Sequence, residues 1–358
     1  MITGTSKALL SGVIEGFYGQ SWSWDARRGY ADFLAENGLD CYIYAPKDDP
    51  WLRRNWRYDW PDDHWIQLQA LSEHYLLKGV KFGVGLSPFE LYNAYDAAGR
   101  RDLQLKLSRI GQLRPAILAI LFDDMPGDVP DLARNQAEIV NDIVKFCPDC
   151  RIIMCPTYYS FDPVLERFFG AIPENYWQDL GAELDAGVDI FWTGNQVCST
   201  TITVADIEEI SQTMGRPPIL WDNYPVNDGA RASRFLHLNA LTSRSPNLAS
   251  YIKGHLCNPM NQAELSKIPL ASLARLYRGE YDPDAARALA IASFGGSKGA
   301  ELLQEHWRKF QDLGLDMISS EERNRLKERF RCVDEPATRE VYAWLNEEYR
   351  FDPECLTG

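Results

Sequence analysis

Two adjacent carboxylates, Asp123 and Asp124, follow directly on the unbroken apolar run Ala116 to Phe122. Such a run fits a strand buried on both faces, so two acids set at its end must crowd one another. Repulsion and partial burial then predict one proton donor and one carboxylate near neutral pH, the split that general acid catalysis requires. Other short apolar runs also lead into polar clusters. Glu15-Gly16-Phe17-Tyr18-Gly19, Pro46-Lys47-Asp48-Asp49, Thr157 with Tyr159, Thr193-Gly194-Asn195, Trp221-Asp222-Asn223 with Asp228 behind it, and Asn258 all stand just past such a run. Carboxylates, amides, a lysine and flat aromatic rings suit a carbohydrate: hydroxyls take paired hydrogen bonds and the pyranose face takes a ring. Singly, each has a structural reading too. Asp48-Asp49 can cap a helix, Lys47 can be a solvated charge and Trp221 can be core.

Other chemistries find no support. The five histidines (His64, His74, His237, His255, His306) show no H-x-H or H-E-x-x-H spacing, and Cys147 and Cys150 form a C-x-x-C with no second ligand pair, so no metal is expected. There is no G-x-S-x-G elbow, Walker loop or G-x-G-x-x-G turn, so no nucleotide cofactor is expected either. Lys plus Arg total 37 against 51 Asp plus Glu, and the net charge of −14 argues against nucleic acid and anionic lipid as partners. At 45% hydrophobic residues the chain has material for a packed core and does not read as disordered. No basic start with a long apolar run and no 18-residue apolar stretch is present, and no N-x-S/T sequon, which reads as a cytoplasmic protein.

Something must hold these clusters at one end of one element type. Eight strand-like runs alternate with helix-period segments: Leu10 to Phe17, Cys41 to Ala45, Val80 to Leu86, Ala116 to Phe122, Arg151 to Pro156, Val188 to Trp192, Ile219 to Trp221 and Tyr251 to Leu256. Helices are expected at Trp24 to Asn37, Asp62 to Lys78, Asp102 to Leu113, Asp131 to Phe146, Asn175 to Ala186 and Val204 to Met214, with stops at Gly38, Gly79, Gly187 and Gly215. Alternation in about 255 residues implies right-handed parallel crossovers and an α/β fold, the (β/α)8 barrel, with a doubly wound open sheet as runner-up. Residues 1–262 are expected to form this catalytic barrel and 263–358 a helical C-terminal region, with a capping box at Ser319 and Glu322 and a turn at Asp312 to Asp316.

The blocks Gly12-Val-Ile-Glu-Gly-Phe-Tyr-Gly19, Tyr44-Ala-Pro-Lys-Asp-Asp49, Leu121-Phe-Asp-Asp124, Cys155-Pro-Thr157, Trp192-Thr-Gly194 and Trp221-Asp-Asn223 with Asn227-Asp228 resemble, in this order, glycoside hydrolase family 84. These are β-N-acetylglucosaminidases that include the O-GlcNAcases. The resemblance covers roughly residues 11 to 260, and no further module is expected on either side of the barrel and its helical tail. It implies retaining, substrate-assisted hydrolysis of a carbohydrate or glycoprotein carrying N-acetylglucosamine, through an oxazoline. Under it Asp123 orients the acetamido group, Asp124 protonates the leaving oxygen, and Tyr159 or its neighbour Tyr158 hydrogen-bonds the acetamide. Gly16, Lys47, Asp228 and Asn258 match positions holding the sugar hydroxyls, Asn223 lies beside the acids, and Trp221 with Cys155 matches the acetamide wall. Val197 and Cys198 stand where leaving-group contacts fall. A hyaluronidase-type glycosidase and a catalytically idle sugar-binding barrel stay open as alternatives. Oligomeric state is left open.

Overall fold

The computed structural model describes residues 9–279, 281–349 and 351–356. Eight parallel strands, β1 (Leu10–Glu15), β2 (Cys41–Tyr44), β3 (Lys81–Leu86), β4 (Ile117–Leu121), β5 (Arg151–Cys155), β6 (Asp189–Trp192), β7 (Ile219–Asp222) and β8 (Gly254–Cys257), close into a barrel. The ring closes where β1 pairs with β8, Leu10 opposite Gly254 and Val13 opposite Cys257. Strands such as β4, buried at every residue, are unbroken apolar runs because both faces are covered. The open-sheet alternative is thereby excluded.

Around the barrel lie α1 (Trp24–Asn37), α2 (Asp62–Lys78), α3 (Ala97–Gly111), α4 (Leu132–Phe146), α5 (Val164–Phe169), α6 (Tyr176–Glu183) and α7 (Val204–Met214). Where the sequence carries both a cap and a left-handed glycine the helix ends where expected. Ser23 accepts from the Ala26 N–H to start α1, and Gly38 at φ 66° stops it. Thr203 and Asp206 form a reciprocal capping box for α7, which Gly215 ends. Other boundaries differ. Helix α3 starts five residues before Asp102 because Asp96 caps it, accepting from the Ala98 and Gly99 N–H groups. Gly187 is not a helix stop: α6 ends at Glu183, and Gly187 donates to Asp185 Oδ1 in the turn before β6. Strand β8 starts three residues later than Tyr251, since Ser245 and Pro246 wind Pro246–Ser250 into a 3₁₀ turn. The connection from β7 to β8 contains 3₁₀ turns rather than an α-helix, which frees it to carry pocket residues.

The helical region comprises α8 (Ala263–Leu276), α9 (Pro283–Phe294), α10 (Gly299–Arg308), α11 (Gly314–Met317), α12 (Ser320–Arg331) and α13 (Pro336–Leu345). The turn expected at Asp312 to Asp316 is instead wound: α10 passes through a wider π-type coil at Lys309–Leu313 into α11. At α12 Ser319 caps the Glu322 N–H, the forward half of the capping box. Most of α8 is buried, with Leu265, Ile268, Leu270 and Leu273 continuing the barrel's apolar core without a break. Glu340 on α13 accepts from the Glu264 and Leu265 N–H groups at the start of α8, and Phe310 O accepts from Leu236 N. No described helix is long and apolar enough to cross a membrane.

Candidate active site

At the carboxyl end of the barrel a cleft opens over the strand ends, the place where barrel chemistry is built. Of the residues singled out for the site, these border it: Gly16 after β1, Lys47 after β2, Asp123 and Asp124 after β4, Cys155 and Tyr159 at β5, Trp221 and Asn223 at β7, Asp228 beyond them and Asn258 after β8; Asp48, Asp49, Thr157, Tyr158 and Asn195 are not among its lining residues. Val197 joins the wall, and Cys198 stands at its exposed rim.

The acids are held apart in function by what surrounds them. The Phe122 N–H still bonds Cys155 O, prolonging the β4–β5 ladder to the edge of the pair. Past it the chain turns, and Asp124 takes φ 56°, the left-handed region that Asp tolerates better than most residues. Lys47 reaches between the two, paired with Asp123 Oδ2 and 3.7 Å from Asp124 Oδ2. The crowding expected from adjacent carboxylates is therefore relieved by a cation between them. Burial works against the Lys47 charge, but Asp123 and Asp124 outweigh it and hold the ammonium above the ordinary lysine range. Asp124 also accepts from Tyr18 Oη at 2.7 Å and Tyr159 Oη at 3.1 Å. Asp123 Oδ1, by contrast, is buried and has no hydrogen-bond partner among the described residues.

The two tyrosines after β5 diverge. Tyr159 faces the acids, whereas Tyr158 turns away, donating to Gly170 O at 2.7 Å and packing on Gly127, where an added Cβ would come within 2.3 Å of its hydroxyl. On the opposite wall Trp221 packs against Gly16, where an added Cβ would stand 2.5 Å from the ring. The Gly16 N–H donates to Asn258 Oδ1. Asn223 ties this wall together, accepting from Trp221 Nε1 and Asn258 Nδ2 at 3.0 Å and donating to Val197 O. Asp228 accepts from the Tyr18 N–H at 2.7 Å, and burial pushes its carboxyl up to about 6. Burial also pushes the Cys155 thiol far up, so it acts as an apolar wall rather than a nucleophile.

Sequence reading named Tyr18 among the strand-end residues without giving it a role, and passed over Val226 and Cys355, which with Tyr18 border the cleft, and Arg53, which bonds the Asp124 carbonyl. Tyr18 lies three residues past the end of β1, where the strand-end rule picked it out, but nothing in the sequence tied its hydroxyl to Asp124. Cys355 lies more than 90 residues past the last strand and carries no such signal. Asp222, His255 and Cys257 cluster under the pocket floor as metal-ligating types. Both Asp222 oxygens, however, are already taken by Arg244 at 2.7 and 2.8 Å and by His255 at 3.0 Å. That donor set fits a hydrogen-bonded brace better than a cation site. The C-x-x-C pair is half-buried at the end of α4, with the Cys147 thiol pushed up to about 11 by burial.

Residues 11–309 match the family model described as beta-N-acetylglucosaminidase. Protein O-GlcNAcase from Rattus norvegicus is 27% identical over 327 residues, covering 88% of this chain and 35% of that protein, and the Mus musculus protein of the same name is 27% identical over 326. The chain thus spans about a third of the length of these curated relatives. Among solved structures, an O-GlcNAc hydrolase variant from Thermobaculum terrenum superposes with a TM-score of 0.78 at 28% identity, over 94% of this chain and 80% of that one. A second, CpGH84B, gives 0.77 at 23% identity over 95% and 66%, a likeness of fold.

Proposed function

The chain belongs to the β-N-acetylglucosaminidase family, glycoside hydrolase family 84, and from that premise we propose that it removes terminal β-linked N-acetylglucosamine from a glycoprotein or other glycan, with retention, using the sugar's own acetamide as nucleophile. The observation that carries the mechanism is Asp123 Oδ1. A buried acceptor left unpaired costs on the order of 1–3 kcal/mol, and Asp123 borders a cleft whose ligand would supply a donor. An acetamido N–H fits it. A bond there turns the acetamide carbonyl toward the anomeric carbon and stabilises the positive charge that grows on nitrogen as the oxazoline closes. Lys47 occupies the other oxygen, Oδ2, and leaves Oδ1 for the ligand.

Asp124 then serves the other side of the same carbon. It donates its proton to the leaving oxygen as the glycosidic bond breaks, and takes one from the water that opens the oxazoline. Two phenols converge on its carboxyl, Tyr18 and Tyr159, and Tyr159 is placed to exchange that bond for one to the acetamide oxygen. Asp228 and Asn258 supply acceptors and donors for ring hydroxyls, and Trp221 with Cys155 forms the apolar surface against which the acetyl methyl packs. No metal ion or cofactor has a step in this scheme. The intact pair of acids also separates this reading from an idle sugar-binding barrel, which would need no proton donor.

The test is hydrolysis of a chromogenic β-N-acetylglucosaminide beside the matching β-glucoside, followed by a series with one, two and three fluorines on the acetyl methyl. Substrate assistance predicts turnover of the first only, and a steep, progressive fall in kcat/KM as fluorine drains the carbonyl oxygen. A flat series would mean that an enzyme carboxylate is the nucleophile. Tight inhibition by a thiazoline analogue of the bicyclic intermediate is expected for the same reason.

A further inference from the structure

Arg53 is not among the residues lining the cleft, yet its guanidinium touches two groups that govern Asp124. It follows the 3₁₀ turn Pro50–Leu52 and its side chain is only 7% exposed. Its Nη2 donates to the Asp124 backbone carbonyl at 3.3 Å. The guanidinium carbon lies 5.5 Å from the centre of the Tyr18 ring, whose hydroxyl bonds Asp124 Oδ2, and 5.6 Å from that of Phe89 on its other side. Its Nη1 pairs with Glu354 at 3.2 Å, and Glu354 also reaches Arg54 at 3.1 Å.

We infer, on the basis of the function proposed above, that Arg53 is a positioning residue for the proton donor Asp124. A non-glycine residue at positive φ persists only where its surroundings hold it there, and at Asp124 the carbonyl bond from Arg53 is such a hold. Without it the peptide beyond Asp124 can rotate back to an ordinary conformation, carrying the carboxyl away from the leaving oxygen. The same guanidinium lies over the Tyr18 ring and holds the phenol that aims the carboxyl, so one cation sets both the backbone and the side chain of the acid. Glu354 holds the opposite edge of the guanidinium and makes no contact with Asp124. Its removal leaves the carbonyl bond in place.

A structural role alone would lower all activities together, whereas an acid-positioning role is felt only where the leaving group needs a proton. The experiment therefore compares kcat/KM on two glycosides, a 2,4-dinitrophenyl β-N-acetylglucosaminide and the β-N-acetylglucosaminide of a serine hydroxyl in a short peptide. The ratio of the two rates in one preparation is independent of how much of it is correctly folded. For Arg53→Ala, which leaves the acid itself in place, the expected loss on the peptide is about 10- to 100-fold, at or below the low end of the roughly 10² to 10⁴ of general acid help, with less than about threefold on the activated aryl glycoside. Arg53→Lys, which keeps a donor within reach of the carbonyl, recovers part of the ratio. Glu354→Gln and Arg54→Ala leave it within about twofold of the wild type. Equal losses on both substrates for Arg53→Ala, or a Glu354→Gln ratio that follows Arg53→Ala, would overturn the assignment while leaving the proposed function intact. A wild-type protein inactive on both glycosides would overturn the proposed function, and this assignment with it.

Discussion

Asp123 and Asp124 are neighbours in sequence, but one keeps a buried oxygen with no hydrogen-bond partner among the described residues while the other is held by two phenols, so their substitutions should part company. Asp124→Asn is expected to cost a glycoside with a poor leaving group roughly 10² to 10⁴ in kcat/KM and an activated aryl glycoside far less. Asp123→Asn should hurt both alike, because both must close the oxazoline. Rates on the two glycosides check this directly, and equal losses for Asp124→Asn would exchange or abolish the roles. Asp228 allows a pH test. Its carboxyl sits near 6 in the fold, above the ordinary 3.8, because burial opposes the charge. A carboxyl raised on folding lowers stability as pH climbs from about 4 to about 6, and the deficit is constant above that. Asp228→Asn should therefore leave the fold at pH 7 as stable or firmer, by at most about 3 kcal/mol. It should also cost about 10² in kcat/KM and erase an acid limb near pH 6 that the wild type shows. A variant that melts early yet keeps its specific activity would return Asp228 to a structural role. These residues were legible because chemistry collects just past the strands. Arg53 was not: it lies nine residues past β2, and nothing in sequence separates it from Arg54, which is half exposed and faces Glu354.

At the level of elements, the end of β7 carries the pocket wall, and a buried brace holds it. Arg244 forks both Asp222 oxygens and also donates to Ser199, Thr200 and Thr242 carbonyls, joining the β6 and β7 loops under Trp221 and Asn223. Burial opposes the Asp222 charge, but Arg244 and His255 outweigh it and hold the carboxyl far below its usual range. Its stabilising contribution is thus complete at neutral pH and is lost only as pH falls below about 4. Arg244→Met leaves a buried carboxylate short of its partner and is expected to cost about 3–5 kcal/mol, read as a lower denaturant midpoint. KM should rise as well, since the wall it braces holds the sugar. An unchanged midpoint would show that His255 alone suffices. The same elements show what sequence can convey. Helices α1, α2 and α7 have the expected bounds because a left-handed glycine ends each. Helix α5 was missed because six residues hold too few turns for a period to emerge. The winding at Asp312 to Asp316 was read as a turn because its Asp and Gly residues suggest a loop, while Phe310 before it and Leu315 within it, both buried, keep it coiled.

Over the whole molecule, the alternation of strand and helix sufficed to predict the barrel, but not how the tail joins it. The boundary proposed at residues 262 and 263 divides topology rather than stability: α8 fills the gap beside α1 and β1 with a nearly all-apolar surface, and the core runs through to α13. Residues 9–262 expressed alone are expected to aggregate, and the full chain to unfold in one calorimetric transition. Two separated transitions, or a soluble, active 9–262 fragment, would contradict this. The path of the last described residues adds a consequence for anything attached to this protein. Leu10 stands on the barrel floor beside Asp40, Lys81 and Arg151, while Glu354 and Cys355 reach the rim of the sugar cleft. A module joined behind Leu356 would be leashed at the mouth, presenting any glycoprotein it captures to the site at the millimolar effective concentration of a short tether. The same module joined ahead of Leu9 would hang about 20 Å away, the length of a six-residue strand, and would hold its catch against the wrong end of the barrel.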